Sequence, residues 1–292
     1  FTPLKGISVT RLNDGGAVDL GEVVSTKEPS SPQLPKFLNF ASSPPLPPSP
    51  TLLIFGTYAA DFNCIEYAQR LNHYLPQFKS KGLGRAILVL NASPDSCLEL
   101  KNILALDDAI EIFSDPSGAA GRAFGCSRGW LADSDLSPYV KLFGMLLGLG
   151  APMTLPSVIS GYLGNPTGSA EWIESSLAQG QMSGRWPDTV LDLNAQGTPT
   201  RNAFSALPLV GGWGRRPLEL ATLRLQNMIG ISLEQWSTLQ PVDLKVLTQL
   251  GGCVLFETSS SPETESDELV RFEWRDPGIC AVADFEEILA AL

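Results

Sequence analysis

Apolar runs alternate with helical periodicities through the first half of the chain. Residues 51–55 (TLLIF) are continuously apolar, as a strand covered on both faces requires. Over residues 63–79, Ile65, Ala68, Leu71, Leu75 and Phe78 fall on one helical face. Residues 85–91 repeat the buried-strand pattern. Ser93-Pro94-Asp95 then starts a helix over 97–106, proline being tolerated in a first helical turn. Residues 110–113 give a third short strand, and the Asp115-Pro116-Ser117-Gly118 turn leads into a helix over 119–124. Strands and helices alternating at these lengths predict a parallel sheet core.

The flanks read differently. Residues 7–24 predict a β-hairpin, with alternation from Ile7 to Leu12, a turn at Asn13-Asp14-Gly15-Gly16, and a return along Ala17-Val18-Asp19-Leu20. Residues 27–50 are rich in proline and serine and read as a stiff connector or a surface loop. From 127 to about 245 strand signals nearly vanish. Helices are expected at 136–149, 156–163, 170–179, 217–229 and 233–240, with one extra strand at 186–193. Strands return at 252–257 and 269–274, joined by an acidic, serine-rich tip at 258–267, and Asp284 is placed to cap a last helix over 285–292. The expected organisation has four parts. An N-terminal hairpin and proline-rich segment occupies 1–50. An α/β domain begins over 51–126, a mostly helical insertion interrupts it over 127–246, and residues 247–292 complete it.

Composition narrows the function classes. The chain has 292 residues and 43% hydrophobic content, enough for a large core. Its 20 basic residues against 31 acidic ones give a net charge of −11, which repels a phosphate backbone, so no nucleic acid is expected as a partner. The five cysteines, Cys64, Cys97, Cys126, Cys253 and Cys280, are far apart and form no CxxC, which fits a reducing compartment better than a disulfide scaffold. With His73 as the one histidine, neither a zinc site nor a hydrolase triad is expected, and His73 itself reads as a surface or packing residue. No cofactor or metal is expected. Phe1 in place of Met fits either a mature chain freed of a targeting peptide or the ordered part of a longer one.

The longest apolar stretch, 140–163, carries Lys141 as its one charge and is broken by Pro152, Pro156 and several glycines. Its uninterrupted part, 142–151, is about half the roughly 20 residues that a transmembrane helix needs. No membrane span is expected. The stretch reads either as a buried helix or as an exposed docking face for a protein partner or membrane surface, with Leu142, Phe143, Met145, Leu146 and Leu149 as candidate contact residues. Asp61 and Glu66 read either as paired acids or as a solvated helix N-terminus favoured by the helix dipole. The glycine runs at 148–150 and 211–214 lack the strand–turn–helix setting of a phosphate loop.

The order of hairpin, buried strand, helix opening near Cys64, second βα unit, Asp115-Pro116 turn, Gly251-Gly252 strand and closing helix resembles the peroxiredoxin-like (AhpC/TSA-type) branch of the thioredoxin superfamily, over about residues 7–126 and 247–292. The segment 217–228 (PLELATLRLQNM) is similar to an insert in peroxiredoxin-like proteins of cyanobacteria and plastids. The resemblance implies a thioredoxin-like fold, with Cys64 as a candidate nucleophile at a helix N-terminus, where a thiolate is stabilised. Cys126 is a candidate resolving cysteine, and Arg122 and Arg128 are candidates for the family's activating arginine.

This chain departs from the family pattern around the thiol. The family's proline and hydroxyl positions are occupied by Thr57 and Asp61, and a carboxylate at 61 raises a nearby thiol's pKa. The reading that follows is a catalytically reduced thioredoxin-fold protein acting as a binding, linking or assembly subunit. The alternative is a thiol peroxidase or reductase using Cys64 alone. The resemblance also implies a chloroplast or cyanobacterial-type compartment, on the stromal or cytoplasmic side and in association with thylakoids, with a membrane-bound photosynthetic complex as the protein partner.

Overall fold

A computed structural model describes residues 2–25, 49–162, 171–182, 191–193, 199–202, 224–225, 227–258 and 268–292. Its centre is three parallel strands, β3 (Thr51–Phe55), β4 (Arg85–Leu90) and β5 (Ile110–Ser114), which run parallel as the alternation predicts. β1 (Ser8–Arg11) joins β5 antiparallel and carries β2 (Ala17–Asp19) outside it. On the other side β8 (Gly252–Thr258) lies antiparallel to β3, with β9 (Glu268–Arg275) beyond. The result is a mixed seven-stranded sheet in the order β2-β1-β5-β4-β3-β8-β9. A separate antiparallel pair, β6 (Leu191–Leu193) and β7 (Pro199–Asn202), realises the expected extra strand and adds a partner that the sequence pattern did not show.

Alternation along the strands divides the core in two, because successive side chains point to opposite faces. Leu52, Ile54, Leu88, Leu90, Ile110, Ile112, Cys253 and Leu255 pack with α2 (Phe62–Ser80), α3 (Pro94–Leu104) and the final helix. Leu53, Phe55, Ile87, Val89, Phe113, Val254 and Phe256 meet the N-terminal segment and α4 (Ala119–Phe124) on the opposite face. This second face explains a correction. Residues 20–25 form a helix, α1 (Leu20–Ser25), and do not extend the hairpin. Leu20, Val23 and Val24 sit at helical spacing and are all buried against the sheet, and Asp19 accepts the Glu22 N–H at 3.2 Å to start the turn.

Local signals set most helix ends. The Ser93 side chain accepts the Ser96 N–H with Pro94 in the first turn, and the helix stops at Leu104 because Ala105 turns left-handed at φ 48°. The later helices are α5 (Pro138–Leu146), α6 (Thr154–Tyr162), α7 (Glu171–Met182), the short α8 (Trp236–Leu239) and α9 (Phe285–Ala291). A π-helical turn at Gly230–Glu234 precedes α8, and a 3-10 helix follows at Leu244–Thr248. Asp284 caps α9 by accepting the Glu286 N–H at 2.8 Å. The proline-rich segment, the acidic tip and most of the helix expected at 217–229 lie outside the described residues.

Candidate functional site

β3 delivers the chain to the 56–61 turn, and α2 opens with Cys64 in its first turn, as the strand–turn–helix pattern requires. The environment is not that of an activated thiol. Cys64 is fully buried, and burial pushes its pKa well up, with Asp61 and then Cys97 adding to the effect. Among the described residues the groups that act on this thiol are Asp61 and Cys97, and neither is a cation. Asp61, at the N-cap position and half-buried, is itself raised to about 6 by burial, against the opposing pull of the Thr57 hydroxyl and the first amides of α2. The apolar cluster that holds Cys64 draws on nearby residues such as Ile54, Ala60 and Leu90 and on residues far along the chain. Met228, Ile231, Leu239, Val246 and Leu247 belong to the same apolar cluster as Cys64, and the Trp236 ring meets Tyr58 edge-on at 6.2 Å.

The other cysteines are also screened. Cys97 and Cys126 are buried and raised to about 12, burial being the first cause in each. Cys253 is fully buried in β8, and Cys280 is half-buried. Among the described residues all five are free thiols. Arg122 and Arg128 do not act on Cys64. Arg122 donates to the Ser117 carbonyl at 2.5 Å, and Arg128 pairs with Asp133 at 2.6 Å.

A buried polar cluster lies next to the start of α2. Asp276, directly after β9, is buried and accepts the Tyr67 hydroxyl at 2.6 Å and the Asn63 amide at 3.2 Å. Asn63 in turn accepts the Cys280 N–H at 2.6 Å, and the Tyr67 oxygen accepts the Ala283 N–H at 3.1 Å. Burial raises Asp276 to about 7, the Tyr67 and Asn63 donors oppose the rise, and Asp61 adds to it. Sequence reasoning missed this carboxylate, because Asp276 stands in an ordinary Asp-Pro-Gly turn signal.

Glu66 corrects one expectation. It is buried and does not belong to a solvated helix end. It pairs with Arg70 at 2.6 Å and with the buried Arg224, and both guanidinium groups stack on Trp172, at 4.6 and 4.7 Å. Burial draws Arg224 down to about 10. This cluster ties α7 and residue 224 to α2. His73 takes the packing role expected of it, with Nδ1 3.0 Å from the Ser175 hydroxyl.

The apolar stretch divides between the two readings offered for it. Lys141, Gly144 and Met145 form the inner side of α5. Met145 packs with Ala151, Leu250 and Ile279, and Leu142 is half-buried against the same cluster. Lys141 donates to the Ala132 and Ser134 carbonyls, so its charge is turned inward. The outer side carries Tyr139, Val140, Phe143, Leu146 and Leu147, with Phe143 64% and Leu147 59% exposed, and Leu149, Leu155 and Ile159 are exposed beyond it. The candidate contact residues Phe143, Leu146 and Leu149 therefore face outward, whereas Met145 faces in.

A scan against protein-family models finds no match, and no curated protein and no solved structure matches the chain. No described helix is long and apolar enough to cross a membrane, and no described group of His, Cys, Asp and Glu is placed to hold a metal ion.

Proposed function

We propose that this chain is a thioredoxin-like protein of the peroxiredoxin-like kind whose thiol site is out of use, and that it works by binding a protein partner. The fold reading is supported by the parallel β3-β4-β5 core with antiparallel β8 and β9 on one edge, and by α2 opening at the end of β3 beside a cysteine. The loss of redox chemistry is supported by the burial of Cys64, its raised pKa and its carboxylate neighbour.

The observation that carries the binding role is the outward apolar side of α5, continued by Leu155 and Ile159 of α6. Contiguous exposed apolar surface of this kind marks interaction sites. Its chemistry favours a protein over an anionic lipid surface. The one cation of the stretch is turned inward, Asp133 and Asp135 stand just before α5, and the chain carries −11 overall. The partner face is apolar with a basic rim. A linking or assembly role in a thylakoid photosynthetic complex, on the stromal or cytoplasmic side, is the setting proposed from the sequence resemblance.

The test is native migration after gentle membrane solubilisation, comparing the wild type with Phe143→Asp/Leu147→Asp. The expected result is that the wild type runs with a large complex and the variant runs free, while circular dichroism is unchanged. A wild type that runs only as a free monomer overturns the reading. The alternative, a single-cysteine peroxidase, requires peroxide consumption that Cys64→Ser abolishes.

A further inference from the structure

Positive charge among the described residues is mostly matched locally. Arg85 pairs with Glu111, Lys101 with Asp108, Arg271 with Glu257, Arg275 with Glu273 and Arg11 with Asp14. Among the described residues the cations Lys5, Lys81, Arg122, Lys141 and Lys245 have no carboxylate within ion-pair reach, and two of them, Arg122 and Lys245, share a site. Both line one cleft of about 240 Å³, together with Ser117, Arg128, Asp243 and Gln249.

The cleft is assembled from three separate parts of the chain. Arg122 comes from α4, Arg128 from the segment that follows it, and Lys245 from the 3-10 helix. Arg122 is held in place through one nitrogen, which donates to the Ser117 carbonyl at 2.5 Å and to Gln249 Oε1 at 3.2 Å. Gln249 is itself fixed by donating to the Gly118 carbonyl at 3.0 Å. The rest of the guanidinium makes no bond to a described residue. The cleft's one carboxylate, Asp243, caps the 3-10 helix by accepting the Lys245 N–H at 2.9 Å. Among the described residues Arg122 and Lys245 thus stand beside Asp243 without an ion-pair partner, while Arg128 is already paired with Asp133 at 2.6 Å, in a protein of net charge −11.

We propose that this cleft binds a phosphate-type anion, either free or as a small phosphomonoester. A guanidinium held through one nitrogen by a backbone carbonyl and the Gln249 side chain presents its remaining N–H groups as a fork, the arrangement that suits phosphate oxygens. A tetrahedral dianion offers oxygens to donors from three directions at once, which a single carboxylate cannot do. Binding compensates the charges of Arg122 and Lys245 and weakens with added salt, as exposed charge interactions do.

The experiment is an orthophosphate titration of the whole chain at constant ionic strength, read by calorimetry and by thermal shift, with acetate as control. The expected result is saturable binding in the millimolar range or tighter, no matching response to acetate, and affinity weaker by about tenfold or more in Arg122→Gln/Lys245→Gln. A response to phosphate no larger than that to acetate overturns the proposal, as does equal affinity in the double variant. If the double variant fails to fold, Lys245→Gln alone, at an exposed side chain, decides the matter. It is then expected to weaken binding about threefold or more, and unchanged affinity overturns the proposal.

Discussion

The Tyr67 hydroxyl, on the second turn of α2, donates to Asp276 Oδ1 at 2.6 Å across 209 positions of sequence. With Asn63 on the other carboxylate oxygen, this bond fixes the start of α2 to the segment that leads from β9 into α9. The same segment meets the start of α6. Met153 N–H donates to the Pro277 carbonyl at 3.4 Å, and Thr154 Oγ1 accepts the Ile279 N–H at 3.0 Å.

Asp276 makes stability depend on pH. An unfolded aspartate ionises near its ordinary value of about 3.9, whereas burial in the fold raises Asp276 to about 7. Below the lower value both states are protonated. As pH rises through the window the unfolded chain ionises first, so stability falls between about pH 4 and 7, by something on the order of 4 kcal/mol at most. Asp61, raised to about 6, acts with the same sign, but being half-buried it is partly screened. Urea unfolding across pH 4–8 is expected to show this fall in the wild type and a much flatter profile in Asp276→Asn.

Cys64 is expected to resist alkylation in the native state. Its thiol is fully buried and its pKa raised, whereas Cys280 is half-buried. Mass spectrometry after timed iodoacetamide treatment at pH 8 is expected to find Cys280 labelled first and Cys64 unlabelled until denaturant is added. Rapid labelling of Cys64, or a trapped sulfenic acid after peroxide, contradicts the proposed loss of redox chemistry.

The ion cluster under Trp172 is expected to be fragile to single changes. Glu66→Leu removes the buried carboxylate that pairs with the Arg224 guanidinium, at a cost of about 3–5 kcal/mol. Adding Arg224→Met removes the buried charge that Glu66 balanced and is expected to restore much of the loss. Denaturant midpoints of the two single variants and the double variant check this as a cycle.

The two sides of α5 are expected to respond oppositely. Met145→Ala removes a fully buried side chain from the cluster with Leu250 and Ile279, at a cost of about 2–5 kcal/mol. Phe143→Ser alters a side chain that is mostly in solvent, and its effect on stability is expected to lie within about 0.5 kcal/mol while partner binding is lost. Thermal unfolding together with native migration separates the two effects.

The sequence by itself determined the elements whose signals are local. The apolar run at Thr51–Phe55, the Ser93-Pro94 helix start and the Asp284 cap stand where the pattern puts them, because each rests on residues within a turn of one another. It also marked Cys64 and the charge-poor stretch after Lys141 as the places to look. Tertiary structure decided the rest. Leu20, Val23 and Val24 became a helix because the second face of the sheet needed covering, a demand that a hairpin signal does not carry. Glu66 became a buried ion-pair partner because Arg224, 158 residues away, folds back onto α2. Cys64 is buried in a cluster that includes side chains between Met228 and Leu247, and Asp276 gained its raised pKa from burial in the fold, with Asp61 adding to it. Burial and electrostatics depend on what arrives from far along the chain, and a local pattern holds no record of that.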